Sequence, residues 1–159
     1  METERTIFSK PNSTDYDELF GLYSNEAVRK YLGGTITKAE FDEKFNDFFC
    51  AQLPECYWII KQKGTNSFIG LISICKYHDQ THFEISYELH PDFWCEGYGT
   101  EVVKRGIEYA FNELGLEELY AETQKKNQKS IKLLEKIGMK IIKQIERFGE
   151  QQLIYSIKK

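Results

Sequence analysis

The chain predicts an α+β layer fold of the broad α/β class, built on one mixed, mostly antiparallel sheet of six to seven strands flanked by helices. Three observations carry this. Residues 57–61, 68–77 and 83–89 are short runs rich in β-branched and aromatic side chains, separated by turn formers, as in antiparallel strands. Apolar residues recur at three- and four-residue steps in 16–23 and 99–114, as on one face of a helix. Strands and helices then alternate before a closing hairpin, giving the order β-α-α-α-β-β-β-α-β-α-β-β.

Thr6-Ile7-Phe8 is the first strand, closed by the turn formers Pro11-Asn12-Ser13. Tyr16, Leu19, Phe20 and Tyr23 share one face of the first helix, with Ser13 or Thr14 as its cap. A short helix from Glu26 to Leu32 stops at Gly33-Gly34. Thr37-Lys38-Ala39-Glu40 has the form of a capping box, and Phe41, Phe45, Phe48 and Phe49 set an aromatic stripe on the helix it opens. That stripe reads as core, or as the wall of a substrate pocket. Three strands follow Pro54, the first two joined by the Lys63-Gly64-Thr65-Asn66 turn. In the third, Phe83, Ile85, Tyr87 and Leu89 alternate with His82, Glu84, Ser86 and Glu88, so one face is apolar and the other carries two carboxylates. A helix from Gly99 to Leu114 turns Val103, Ile107, Ala110, Phe111 and Leu114 inward. Leu119 to Thr123 is a strand, and Gln128 to Ile137 a helix ended by Gly138. Met139 to Arg147 then pairs with Leu153 to Ile157 across Phe148-Gly149-Glu150.

With 159 residues and no repeat, linker or low-complexity tract, residues 1–159 are expected to form one domain. A net charge of -4 excludes the basic surface that nucleic acid requires and suits a cationic partner. No apolar run reaches the length of a membrane span and the first residues are too polar for a signal peptide, so the expected location is cytoplasmic. Cys50, Cys56, Cys75 and Cys95 have no metal-ligand spacing and read as free thiols. His78 and His82 flank what looks like a hairpin turn, which does not aim both rings at one metal.

The most specific local signal is Trp94-Cys95-Glu96-Gly97-Tyr98-Gly99-Thr100, between a strand and an amphipathic helix. Glycines let a diphosphate approach the main chain, and the free amides of a helix's first turn, with its dipole, hold negative charge without a lysine. An ordinary strand-to-helix turn has the same glycines. A P-loop needs Lys and Ser/Thr after the second glycine, where Thr100-Glu101 stands, and a dinucleotide fold needs Gly or Ala at Val102.

The segment from Leu89 to Glu101, followed by Asn127-Gln128-Lys129-Ser130 and by Leu134-Glu135-Lys136-Ile137-Gly138-Met139, resembles the GNAT superfamily of N-acetyltransferases. Within it, the segment looks most like the Rim-type branch that acetylates ribosomal-protein N-termini. The resemblance implies a GNAT-like sheet and an acetyl-CoA cosubstrate without a metal. It places the pyrophosphate on the amides of Gly97, Tyr98, Gly99 and Thr100 and the pantetheine along Tyr87 to Leu89, in a splay between that strand and the one ending at Thr123. The family's first motif position is Trp94 here, and Cys95-Glu96 replaces a common basic or small pair, setting a carboxylate beside the diphosphate. Glu84 is the candidate base and Glu88 the reserve, although the same alternation is what a solvated sheet face shows. A main-chain N–H near Leu89 would polarise the thioester carbonyl. Many relatives protonate the thiolate with a tyrosine where this chain has Leu134, and the likeness to the ribosomal-protein branch implies Ser130 as the candidate donor instead. Asn127 would hold pantetheine or water, or simply cap the helix, and Lys132, in a cluster with Lys125, Lys126 and Lys129, would meet the 3′-phosphate or stay solvated. Cys95 sits where a helix terminus could activate a thiol, but direct transfer needs none.

The expected function is therefore acetyl transfer to a primary amine of a protein N-terminus, polyamine, amino sugar or small metabolite. A non-catalytic acyl-CoA sensor of the same fold is the alternative. The C-terminal hairpin offers an edge that a homodimer could cover.

Overall fold

The computed structural model describes residues 1–159 and forms one seven-stranded sheet in the order β1-β2-β3-β4-β5-β7-β6. The strands are β1 (Thr6–Ser9), β2 (Cys56–Gln62), β3 (Phe68–Lys76), β4 (Phe83–Leu89), β5 (Glu118–Gln124), β6 (Lys140–Arg147) and β7 (Glu150–Lys158). Helices α1 (Tyr16–Tyr23), α2 (Glu26–Arg29), α3 (Lys38–Phe45) and α4 (Asp47–Cys50) lie between β1 and β2, α5 (Tyr98–Asn112) follows β4, and α6 (Gln128–Lys136) follows β5. Every pairing is antiparallel except β4 with β5.

Local chemistry corrects three boundaries. The first helical segment is capped by Asn12, in a reciprocal capping box with Asp15 around the turn Ser13–Asp15, and not by Ser13 or Thr14. The second helix ends at Arg29 instead of Leu32, because the Arg29 side chain takes the carbonyls of Leu32 and Gly34 and folds the chain back. The aromatic helix breaks at Asn46 into α3 and α4, adding one helix to the expected order. The Thr37–Glu40 capping box forms as read. Phe41 and Phe48 go into the core, while Phe49 stays exposed.

Two apolar clusters cover the two sheet faces. On one, Leu19, Leu22, Phe41 and Phe48 from α1, α3 and α4 pack on Ile59 and Leu71. On the other, Val102, Val103, Ile107 and Ala110 of α5 and Leu134 of α6 meet Ile72, Ile74, Ile85, Leu119 and Tyr155. Burial on both faces explains why β3, Phe-Ile-Gly-Leu-Ile-Ser-Ile-Cys-Lys, reads as a nearly continuous apolar run and not as an alternation. At the far edge, β6 leaves Ile141 and Ile142 about half exposed.

Leu134 is 1% exposed and ties α6 to this core. Leu134→Ala is expected to lower unfolding free energy by about 2–5 kcal/mol through lost burial and a residual cavity, measured by urea denaturation.

Candidate active site

The site begins where β4 and β5 part. β4 pairs with β3 along its whole length, from Phe83 to Leu89, but meets β5 at a single register point, Glu84 with Tyr120. The amide of His90 donates to the Ile69 carbonyl at 2.7 Å, which makes Gly70 and Leu89 a non-hydrogen-bonded pair. The Leu89 N–H therefore points away from β3, to the side where β5 has already diverged. Leu89's own carbonyl accepts the Trp94 indole N–H at 2.8 Å, so the Trp94 side chain closes the end of β4, with the Lys129 ammonium 4.1 Å over its ring.

Next to this gap lies the loop into α5. The amides of Cys95, Glu96, Gly97, Tyr98, Gly99 and Thr100 donate no hydrogen bond to the protein; the first to do so is that of Glu101, to the Gly97 carbonyl. Cys95 (φ 63°) and Gly97 (φ 87°) are both left-handed, the alternation that turns successive amides into a concave nest. The 15-residue helix behind adds its positive end. Gly97 is needed for its φ, whereas Gly99 is needed for space: a methyl group there would fall 2.7 Å from Leu133 Cδ1 and 3.4 Å from Leu89 Cδ1. The second glycine thus answers to the packing of α5 on α6 as well as to an approaching anion. The Glu96 side chain is exposed and pairs with nothing, so it does not occupy the nest.

A residue that sequence reading missed braces this loop. Arg5 donates its Nε to Glu101 at 2.7 Å and Nη1 to the Glu96 carbonyl at 3.1 Å, and its guanidinium lies 4.1 Å over the Tyr98 ring. Thr3 also donates to Glu101. Tyr98 is itself buried, its hydroxyl accepting from Gln62 at 2.8 Å, so only its amide faces the loop's open side. The signal available was slight: one arginine beside the first strand and one glutamate in a helix's first turn, 96 residues apart.

On the opposite face, β3 and β4 floor a cavity of about 270 Å³ walled by Tyr23, Arg29 and Lys44. Glu84, Ser86 and Glu88 all line it, so the polar face of β4 is a cavity floor and not an open surface. The two carboxylates differ. Arg29 Nη1 holds both oxygens of Glu88 at 3.1 Å, while Glu84 has no hydrogen bond or ion pair. Burial lifts the Glu84 carboxyl to about 7, nearby Glu122 adds to the rise and Arg147 opposes it. Burial also raises Glu88, against the pull of Arg29. Of the candidate base Glu84 and the reserve Glu88, only Glu84 is left without an ion pair, because α2 supplies the partner of the other.

Across the gap, Tyr87 reaches α6: its hydroxyl and that of Ser130 are 2.8 Å apart. Asn127 caps α6, its Oδ1 accepting from the Ser130 amide at 3.3 Å, and its side-chain nitrogen makes no hydrogen bond to the protein. Thr100 stands at the start of α5 with its hydroxyl unbonded. The lysine cluster divides: Lys126 pairs with Glu150 at 2.8 Å, Lys129 covers Trp94, and Lys125 and Lys132 are exposed. Thus Glu84 lies on the cavity side, Gly97 to Thr100 at the nest, and Tyr87, Asn127 and Ser130 at the seam between, with Lys132 exposed on α6. His82 pairs with Asp79 at 2.7 Å and stacks on Tyr120, and no group of three His, Cys, Asp or Glu side chains could hold a metal ion.

An amide nest and a cavity thus lie on two sides of a split mixed sheet. The Acetyltransferase (GNAT) domain model matches residues 5–140, and the chain belongs to that family. It is 30% identical to the uncharacterised N-acetyltransferase YoaA of Bacillus subtilis (strain 168), over 87% of this chain and 81% of the relative. A GNAT-family acetyltransferase structure from Bacillus anthracis superposes with a TM-score of 0.87 at 24% identity, covering 99% of this chain and 97% of that one. The spermidine N-acetyltransferase of Vibrio cholerae, solved with CoA and spermine, gives 0.84 at 16% identity, covering 96% and 95%.

Because Glu84 binds its proton more tightly folded than unfolded, its contribution to stability is full below the unfolded value of 4.5 and is lost as pH rises through about 7. Glu84→Gln should therefore gain stability relative to the parent between pH 4 and 8, by at most about 3 kcal/mol, in urea titrations at both pH values.

Proposed function

We propose that residues 1–159 act as one acetyltransferase domain that takes acetyl-CoA as donor and passes the acetyl group to a primary amine by direct attack on the thioester. The observation that carries the reading is the run of amides from Cys95 to Thr100 with no protein acceptor, beside a strand gap that opens to a cavity. Gly97, Tyr98, Gly99 and Thr100 would hold the pyrophosphate through their N–H groups, with Lys132 toward the 3′-phosphate. Tyr87, Leu89 and Trp94 would border the pantetheine, steadied by Asn127 and Ser130. The Leu89 N–H would take the charge that develops on the carbonyl oxygen.

Glu84 is the proposed base: a carboxyl near 7 is half ionised at neutral pH and able to accept a proton. It lies five residues from Leu89, roughly 16 Å of extended strand, so it acts through bridging water. Glu88 is nearer, but Arg29 holds it in an ion pair that anchors the turn after α2. With a single uncommitted carboxylate, the cavity fits an acceptor bearing one ammonium group, as a small amine or a protein N-terminus does, better than a polyamine. The N-terminal class is the one the ribosomal-protein branch would supply. The same reading includes a cytoplasmic protein and a homodimer along the exposed β6 edge, the latter open to sedimentation equilibrium.

The sensor alternative has Leu134 in its favour, an apolar side chain where relatives place a proton donor. Calorimetry with acetyl-CoA, joined to a thiol-release assay over monoamines, polyamines and short peptides, decides between them. Binding with release identifies the enzyme, binding without release the sensor, and no binding removes both. Glu84→Gln should lower kcat by about 10²-fold and abolish its acidic limb near pH 7, with coenzyme affinity retained. Arg5→Ala should weaken coenzyme binding about tenfold with kcat unchanged, since a loosened nest loses roughly one charge-assisted contact.

A further inference from the structure

Among the residues lining the acceptor cavity, Tyr87 alone also packs into the core beneath α5 and α6. It leaves β4 three residues beyond the pairing with β5 at Glu84 and ends 2.8 Å from the Ser130 hydroxyl in the first turn of α6. The Ser130 main chain is fixed in turn by Asn127. One turn further on, Leu134 is buried and apolar, so α6 presents no hydroxyl there. A thioester approaching from the amide nest, with an amine approaching from the cavity, would meet at this crossing.

Resting on the acetyl-transfer reading above, we infer that Tyr87 is the catalytic acid, giving its hydroxyl proton to the departing thiolate and being reprotonated through Ser130. The amine nitrogen bonds to the carbonyl carbon and its surplus proton leaves by way of Glu84. The C–S bond breaks with its electron pair on sulfur, sulfur takes the Tyr87 proton, the Tyr87 oxygen takes the Ser130 proton, and Ser130 recovers one from solvent. One proton lost by nitrogen thus matches one gained by sulfur. Burial holds the Tyr87 hydroxyl up at about 12, with Ser130 pulling the other way, so the group stays protonated and able to donate at neutral pH.

Tyr87→Phe keeps the ring and removes the proton. With the amine that gives the fastest thiol release in the panel, this variant should transfer acetyl about 10²-fold more slowly in single turnover, with acetyl-CoA affinity by calorimetry unchanged within about threefold. Ser130→Ala should lose about tenfold and gives the same test from α6 if the phenylalanine variant does not fold. A purely packing role would slow every donor alike. With the acetyl thioester of 4-nitrothiophenol, whose thiolate leaves without protonation, the Tyr87→Phe deficit should instead shrink to within about threefold. Equal deficits with both donors overturn the assignment. So does an unchanged rate in Tyr87→Phe, or a loss in Tyr155→Phe alone, since the neighbouring Tyr155 hydroxyl is buried without a partner. Absence of thiol release by the parent with any amine removes the acetyl-transfer reading itself, an outcome separate from these.

Discussion

The structure depends on one incomplete strand pairing. β4 is paired with β3 along its whole length yet pairs with β5 only at Glu84 and Tyr120, so the main-chain groups that follow on that side have no paired strand to meet. An unpaired edge inside a sheet is ordinarily destabilising, since a buried polar group without a partner forfeits about 1–3 kcal/mol. Here the surroundings limit the loss. Trp94 takes the Leu89 carbonyl, Tyr87 and Ser130 satisfy one another, and α5 and α6 close over the remainder. The gap is consequently narrow, walled and lined with donors, and the two apolar clusters hold the sheet open from either face.

Electrostatics divide the two faces of that gap. On the nest side, amides and a helix terminus gather positive potential without a free charged side chain, because Arg5 is committed to Glu101. On the cavity side, burial acts on two glutamates of one strand with opposite results. Glu88 engages Arg29 in an ion pair, while Glu84, in no ion pair, sits near 7. Four positions along one strand separate an anchoring group from a titrating one, and the two have different neighbours, Arg29 and Lys44 for Glu88 against Glu122 and Arg147 for Glu84.

Much of this was legible in the chain, for a physical reason: local signals report local structure. The alternation in 83–89 fixed which residues of β4 share a face, the Thr37–Glu40 box opened its helix, and the Gly97–Gly99 motif marked the loop that meets α5. What escaped was of two kinds. The early end of α2 rests on the Arg29 side chain taking the Leu32 and Gly34 carbonyls, a local competition that apolar periodicity does not report, while the pairing of Glu88 with Arg29 joins segments 59 residues apart. Gly99 was legible as a necessity but not in its cause, because Leu133 touches it only once α6 has packed. The Tyr87–Ser130 hydroxyl pair was hardest to read, since it joins a strand to a helix 43 residues later.

The brace from Arg5 has a further bearing. The shape of the loop at 96–101 is borrowed from the first strand, which is itself held by β2 through Thr6 to Ser9. A half-made chain, or one whose leading residues are pulled aside by a fused tag, would carry every residue of the anion loop and still lack its curvature. The curvature of this loop thus depends on the two ends of that 96-residue span being brought together.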